Sequence, residues 1–407
     1  MNKIYIGRQP IYNQNLDVCA YELLYRPNNL RNEAGELDHN HATAQVLLNA
    51  FVGFGLDQLV GDKPAFVNLP RDFIVGNLPL PFPKERVVLE ILEDVVVDAP
   101  LTRGVERLRD QGYDIALDDF IYHETLQPLV KASKIVKIDF QALERDQIRT
   151  HVTALRRHPV ALLAEKVETY QDFDFAREQG FDYFQGYFFC RPKVLTSHSI
   201  PANRLSLLQL MSLVQRPDVE VAILSEAIGQ DVALSYKLIR GLNSALYALP
   251  KPIESIRHAI VYLGLVQVKR WITLIALTSL SDKPTQLMVV GITRAKMCER
   301  LGEMLGEIKD VCFTVGLFSV LDALMDTTMG TALSQLPLSD GIKAALLERA
   351  GGMGRILQAV MAYEAGAWDD ILLPAVRPDD LTQAYLDGVA WADEVMGKLQ
   401  QGAGMGA

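Results

Sequence analysis

The chain has 407 residues, enough for two or three domains at roughly 100–200 residues each. Hydrophobic residues make up 49% and charged residues 22%, a globular balance that excludes a disordered chain, a collagen-like repeat or a disulfide-stapled mini-protein. With 50 acids against 40 bases the formal charge is −10, which argues against a general nucleic-acid binder but admits a small anionic ligand held through metal ions.

The first half alternates short apolar runs with helix-like stretches. Eight runs rich in β-branched and aromatic residues read as strands: Tyr5–Tyr12, Val18–Arg26, Ala65–Leu69, Val87–Glu93, Asp114–Phe120, Ile135–Phe140, Ala161–Glu168 and Tyr183–Phe189. Amphipathic segments such as Thr43–Phe54, Leu101–Gln111 and Tyr170–Gln179 lie between them. Strands alternating with helices imply a largely parallel sheet, and eight of them fit a TIM-type (β/α)8 barrel, though a short one against the usual ~250 residues. Only five residues, Asn13–Asp17, separate the first two runs, which suits a hairpin and predicts one antiparallel strand.

After Pro192 a polar link leads to Pro201, and helical periodicity then runs to about residue 398. The expected organisation is a barrel over residues 1–195, an all-α bundle over 201–398 and a flexible Gly-rich tail over 399–407. Cys19, Cys190, Cys298 and Cys312 form no C-x-x-C pair and have apolar neighbours, so reduced core thiols in a cytoplasmic protein are expected. The N-terminus lacks the apolar core of a signal peptide, and no stretch approaches the roughly 20 apolar residues that span a bilayer. A soluble protein without a membrane partner is the expectation.

Polar residues recur where the strand runs finish. Glu22, Asn68, Glu90 with Glu93, Asp118 with Asp119, Lys137 with Asp139, Glu165 with Glu168, and Gln185 each sit among apolar neighbours. A lone carboxylate at a strand end is ordinarily a cap or a solvated group. A series of them at the C-terminal ends of barrel strands is where catalytic groups gather. Converging carboxylates repel one another unless cations intervene. Oxygen donors without His or Cys select hard ions, Mg2+ or Mn2+, and two such ions suit a phosphodiester. Lys137 reads two ways, as support for an attacking water or as a salt bridge to Asp139 or Glu165.

These motifs carry a resemblance. Glu22-Leu23-Leu24-Tyr25-Arg26 resembles the E-A-L-x-R signature of EAL domains, the cyclic di-GMP phosphodiesterases, with Leu23 in place of Ala. Gln9-Pro10-Ile11, Leu89–Glu93, Asp118-Asp119-Phe120, Lys137-Ile138-Asp139, Ala164–Glu168 and Gln185-Gly186-Tyr187 follow in family order over about residues 4–193. The resemblance implies two divalent ions held by Glu22, Asn68, Glu90, Asp118, Asp119 and Glu165. It implies catalytic roles for Glu22, Lys137 and Glu168, substrate contacts from Gln9, Arg26 and Gln185, and the linear product pGpG.

Two departures stand out. The family A-E-G-V-E has Lys166 where the glycine belongs, and the G-x-G-Y-S-S loop after D-D-F is replaced by Ile121-Tyr122-His123-Glu124-Thr125-Leu126. No glycine remains to turn that backbone, and Glu93, which anchors the loop in the family, has nothing to hold. A displacement of about 1 Å can cost on the order of 100-fold in rate, so weak or absent turnover is expected.

In the second half, Asp231–Arg240 with Asn243-Ser244-Ala245 resembles the HDOD domain, a relative of the HD hydrolase bundle without its metal ligands. His258 is the last of seven histidines, and Leu321-Asp322 stands where an HD pair would be, so no second hydrolase site is expected. Lys269-Arg270 reads as a solvated face, and Leu317, Val320, Leu321, Leu324 and Met325 as core packing. Two functions are carried forward. The first is Mg2+- or Mn2+-dependent hydrolysis of cyclic di-GMP. The alternative is an inactive cyclic di-GMP sensor or scaffold in which the helical half docks a signalling protein. Oligomeric state stays open, a homodimer included, because the family dimer contact overlaps the altered loop.

Overall fold

The computed structural model describes residues 4–27, 55–78, 80, 82–92, 95–119, 121, 123–190, 202–216, 218–229, 238, 256–278, 283–334 and 336–401. The chain divides into two compact units, Met1–Phe189 with Arg377–Gln383 and Cys190–Val376 with Ala384–Ala407. Expected elements at Thr43–Phe54 and most of Asp231–Arg240 lie outside the described residues, as does the end of the tail, 402–407.

All eight expected strand runs form strands. They are β1 (Ile4–Tyr12), β2 (Val18–Pro27), β3 (Ala65–Asn68), β4 (Val87–Ile91), β5 (Asp114–Leu117), β6 (Ile135–Asp139), β7 (Ala161–Glu165) and β8 (Tyr183–Gln185). They close into a barrel in sequence order. β1 runs antiparallel to both β2 and β8, and the other pairings are parallel. The short hairpin after β1 forces that reversal, because a parallel pairing needs a crossover of a dozen or more residues. Between the later strands the crossovers are helical, including Ala99–Asp110, Arg145–Leu155 and Tyr170–Glu178. Asp98 and Thr169 cap two of them by accepting the backbone N–H of Leu101 at 2.9 Å and of Asp172 at 3.1 Å.

Six strands, β3 to β8, stop earlier than their apolar runs, three of them just before a residue of positive φ. β5 gives way before Asp119 (φ 44°), β7 before Lys166 (φ 51°) and β8 before Gly186 (φ 145°). A left-handed or mirror-region residue cannot continue a β ladder, so each of these positions turns the chain off the barrel rim. At Gly186 a glycine is required, since a Cβ there would lie 2.0 Å from the Val167 carbonyl oxygen.

The barrel interior is layered. Ile11, Ala20, Phe66, Val88, Ala116, Ile135 and Leu163 form one buried apolar cluster, with Tyr183 packed against it. Side chains repeat every second residue along a strand, so the next inward layer comes two positions further on. On β2 to β8 those positions are Glu22, Asn68, Glu90, Asp118, Lys137, Glu165 and Gln185. On antiparallel β1 the count runs backwards from Ile11 and reaches Gln9. An apolar plug thus carries a polar ring directly above it.

The second unit is helical. The two longest described helices are Thr285–Met304 and Pro378–Gln401, and the latter runs past residue 398. One core joins Val214, Leu224, Ile228, Val268, Trp271, Ile272 and Ile275. Helices Thr285–Met304 and Lys309–Phe318 approach closely at Gly316, where a Cβ would lie 2.5 Å from the Arg294 carbonyl oxygen. Leu317, Val320, Leu321, Leu324 and Met325 are all buried, as expected of core packing.

Arg270 departs from the expected solvated face. Only 13% of its side chain is exposed; it pairs with Glu299 at 2.7 Å and Asp310 at 2.5 Å and lies 4.2 Å from the Phe313 ring centroid. Two acids and an aromatic face give the guanidinium enough partners to leave water. Cys298 and Cys312 are core thiols, whereas Cys19 and Cys190 are half-buried; none forms a disulfide. No described helix is long and apolar enough to cross a membrane.

Candidate metal centre

The polar ring converges on one side chain. Lys137 projects from the middle of β6 and has no exposed surface. Its Nζ lies 2.6 Å from Glu90 Oε1, 2.7 Å from Asp118 Oδ1, 2.7 Å from Glu165 Oε1 and 3.3 Å from Glu22 Oε2. β2, β4, the end of β5 and β7 therefore each place an acid against a lysine from β6. Of the two readings of Lys137 as an ion-pair partner, Glu165 is met. Asp139 is not; it points to Lys166 instead, 2.5 Å away.

Gln185 extends the ring on the other side. Its Nε2 donates to Glu22 Oε2 at 2.7 Å and to Gln9 Oε1 at 3.0 Å. Register explains the trio: Gln9 faces Glu22 across the hairpin, and Ile11, two residues on, faces Gln185. Asn68 ends β3 opposite Glu90 and is half-buried. Glu168 stands apart on the loop after β7, where its Oε1 accepts from the side chain of Gln141. Arg26 pairs through its backbone with Tyr5, and its side chain lies outside the described residues, as do Glu93, Phe120 and Tyr122.

One ammonium against four carboxylates leaves negative charge in excess. Burial, then the nearby Glu22, raises the Glu90 pKa well above the usual carboxylate range; its side chain has no exposed surface. Burial also raises Glu165, with Lys137 opposing and Asp118 and Glu22 adding to it. For Lys137 burial alone would pull the ammonium down, but Glu22, Glu90, Glu165 and Asp118 hold it well above its ordinary value.

A divalent cation fits this donor set. Asp118, Asp119 and Glu165 each offer an oxygen, all within 4.8 Å of one another. Two like charges at that separation repel by roughly 3–4 kcal/mol at an effective dielectric of about 20, which a shared cation would reverse. Asp119 Oδ1 and Glu165 Oε2 are buried without a hydrogen-bond partner, a cost the fold carries unless something else takes them. An all-oxygen set of this kind suits a hard ion.

Lys166 is the site residue whose role the sequence did not disclose. It follows Glu165 directly and is 48% exposed, and its Nζ reaches Asp119 Oδ2 at 3.4 Å as well as Asp139. The signal in the sequence was that Lys166 stands where the family motif has glycine, a residue suited to the left-handed backbone found here. Only the left-handed backbone at this position turns its side chain over the ring.

Comparisons with known proteins agree with this architecture. The EAL-domain family model matches residues 78–192 and the HDOD-domain model residues 200–335. The EAL match takes in β4 to β8, while the motifs holding Gln9, Glu22 and Asn68 precede it. The Vibrio cholerae protein named cyclic di-GMP phosphodiesterase CdgJ is 32% identical over 97% of this chain and 94% of its own length. The Bacillus subtilis protein YuxH is 31% identical over 97% of this chain and 99% of its own. Among solved structures, the B. subtilis YkuI protein, with an EAL domain and bound to c-di-GMP and calcium, is 18% identical with a TM-score of 0.40. It covers 56% of this chain and 72% of that one. A standalone EAL protein from V. cholerae in its c-di-GMP-bound form is 22% identical with a TM-score of 0.37, over 46% of this chain and 91% of that one.

Proposed function

The chain belongs to the family of proteins in which an EAL domain precedes an HDOD domain, and from that premise we propose that its barrel hydrolyses cyclic di-GMP to linear pGpG. The observation that carries the proposal is the closure of Glu22, Glu90, Asp118 and Glu165 around Lys137 at the C-terminal mouth of the barrel. The full-length likeness to a relative named a cyclic di-GMP phosphodiesterase supports it.

In this reaction one water is added across one P–O3′ bond: phosphorus gains the water oxygen, and the 3′ oxygen leaves as a hydroxyl. Mg2+ or Mn2+, held by Glu22, Asn68, Glu90, Asp118, Asp119 and Glu165, would supply Lewis-acid activation of the phosphodiester and of water. Lys137 keeps the carboxylates close together and offers a fixed positive charge beside the developing phosphoryl charge. Gln185 holds Glu22 in place while tied to Gln9. Glu168, set by Gln141 on the neighbouring loop, is assigned to the attacking water. Gln9, Arg26 and Gln185 are assigned to the substrate side. The helical unit is assigned the docking of a signalling protein, with the cytoplasm as the expected compartment; the oligomeric state, a homodimer included, stays open.

The test is a time course of the purified full chain with cyclic di-GMP and Mn2+, following pGpG by chromatography beside Glu22→Ala. Product that disappears in the variant supports the hydrolase. Metal-dependent nucleotide binding without product over hours assigns the barrel as a sensor, the reading favoured by the replaced loop at residues 121–126.

A further inference from the structure

We propose that Lys166 is a tethered competitor for the cation of this site, holding Asp119 until a divalent ion displaces it. This rests on the reading that the carboxylate ring takes divalent ions, and it concerns a residue to which that reading gives no role.

Two lysines reach the ring, and they differ in kind. Lys137 is fully enclosed and has nowhere else to go. Lys166 is 48% exposed, so its ammonium can leave for water without crossing the protein. It bridges Asp139 Oδ2 at 2.5 Å and Asp119 Oδ2 at 3.4 Å. Asp139 is a fixed post, because its Oδ1 also accepts the backbone N–H groups of Gln141 at 2.6 Å and Ala142 at 3.1 Å. Asp119 is the shared post. It belongs to the trio with Asp118 and Glu165 whose oxygens lie within 4.8 Å of one another. Its Oδ1 and Glu165 Oε2 are buried without a hydrogen-bond partner.

An ion seated on that trio would therefore have an ammonium bound to one of its own ligands. The two positive charges repel, and Asp119 cannot give its full charge to both. The ion must drive Lys166 off Asp119, and the lost ion pair is subtracted from its affinity. The left-handed backbone of Lys166 (φ 51°) is a conformation that L-residues adopt at a cost, and here it aims the side chain over the ring instead of along the strand.

The test is a Mn2+ titration of the full chain, reading free ion by its electron paramagnetic resonance signal, with Lys166→Gln and Lys166→Arg in parallel. Removing the charge is expected to tighten the weakest bound Mn2+ by at least about tenfold, while arginine keeps wild-type affinity. Equal affinities in wild type and Lys166→Gln would overturn the proposal, as would an arginine variant that tightens as much as the glutamine. Circular dichroism confirms that each variant is folded. Following pGpG in the same samples separates the two readings. Tighter Mn2+ without product from either protein leaves the competition standing and removes the hydrolase; product with equal affinities does the reverse. No Mn2+ uptake by any of the proteins overturns both.

Discussion

Lys137 Nζ lies 2.6 Å from Glu90 Oε1 inside the barrel, and neither side chain has any exposed surface. The pair is the enclosed centre of a charge cluster whose other acids, Glu22, Asp118 and Glu165, are only slightly exposed, so its members depend on one another. Replacing Lys137 by Ala leaves Glu90, Glu165, Asp118 and Glu22 facing each other with no internal cation. Removing one partner of a buried pair typically costs about 3–5 kcal/mol, and that loss is expected in urea unfolding near pH 8. Millimolar Mn2+ should recover part of it by supplying the missing charge. A variant as stable as wild type in chelator would show that the carboxylates do not need the lysine.

The pH dependence follows from Glu90 and Glu165, whose native pKa values are raised, chiefly by burial. A raised acid keeps its proton in the folded state after the unfolded chain has lost it. Its contribution to stability is fully present below the ordinary carboxylate value and declines as pH rises through the native one. Lys137, also raised, contributes below its ordinary value and loses that contribution only in strongly alkaline solution, outside this window. Glu165→Gln, which cannot ionise, should match wild type in urea midpoint at pH 4 in chelator and exceed it progressively toward pH 8. A gap that closes with rising pH would contradict the direction assigned here.

The eight strands were legible as short runs rich in β-branched and aromatic residues. The runs of β2 to β8 also carry an apolar residue followed two positions later by a polar one, an order that β1 reverses with Gln9 and Ile11. Ala20 and Glu22, Val88 and Glu90, Ile135 and Lys137, and Leu163 and Glu165 all show it. The same pattern discloses the plug and the ring, since one face of a strand is all that period two can encode. It does not encode where a strand stops. Asp119 and Lys166 lie in runs that read as continuing strand, yet both adopt positive φ, a conformation set by the rim packing rather than by their own side chains. The pairing of Lys166 with Asp119 and Asp139 follows from that turn. It joins three strand ends 20 or more residues apart, and no local spacing announces it. Arg270 was misread for a related reason: Glu299 and Asp310, which withdraw it from water, lie on other helices.

The helical unit holds a buried ion pair of its own. Arg294 Nε donates to Glu364 Oε2 at 2.8 Å, and its Nη1 donates to Ser319 Oγ at 3.2 Å. The two charged side chains are 5% and 8% exposed, so each offsets part of the other's loss of water. Burial raises the Glu364 pKa, with Arg294 opposing it. Arg294→Ala therefore takes the guanidinium from beside a buried carboxylate and should lower unfolding stability by about 3–5 kcal/mol. Adding Glu364→Leu to that variant removes the buried charge and should return much of the loss, because apolar groups of similar volume tolerate such a site well. A double variant no more stable than Arg294→Ala would mean that the arginine acts through packing and Ser319 rather than through Glu364. Mn2+ should leave the difference between these variants unchanged, unlike that between Lys137→Ala and wild type, since Glu364 belongs to no group of three acids that could hold an ion among the described residues.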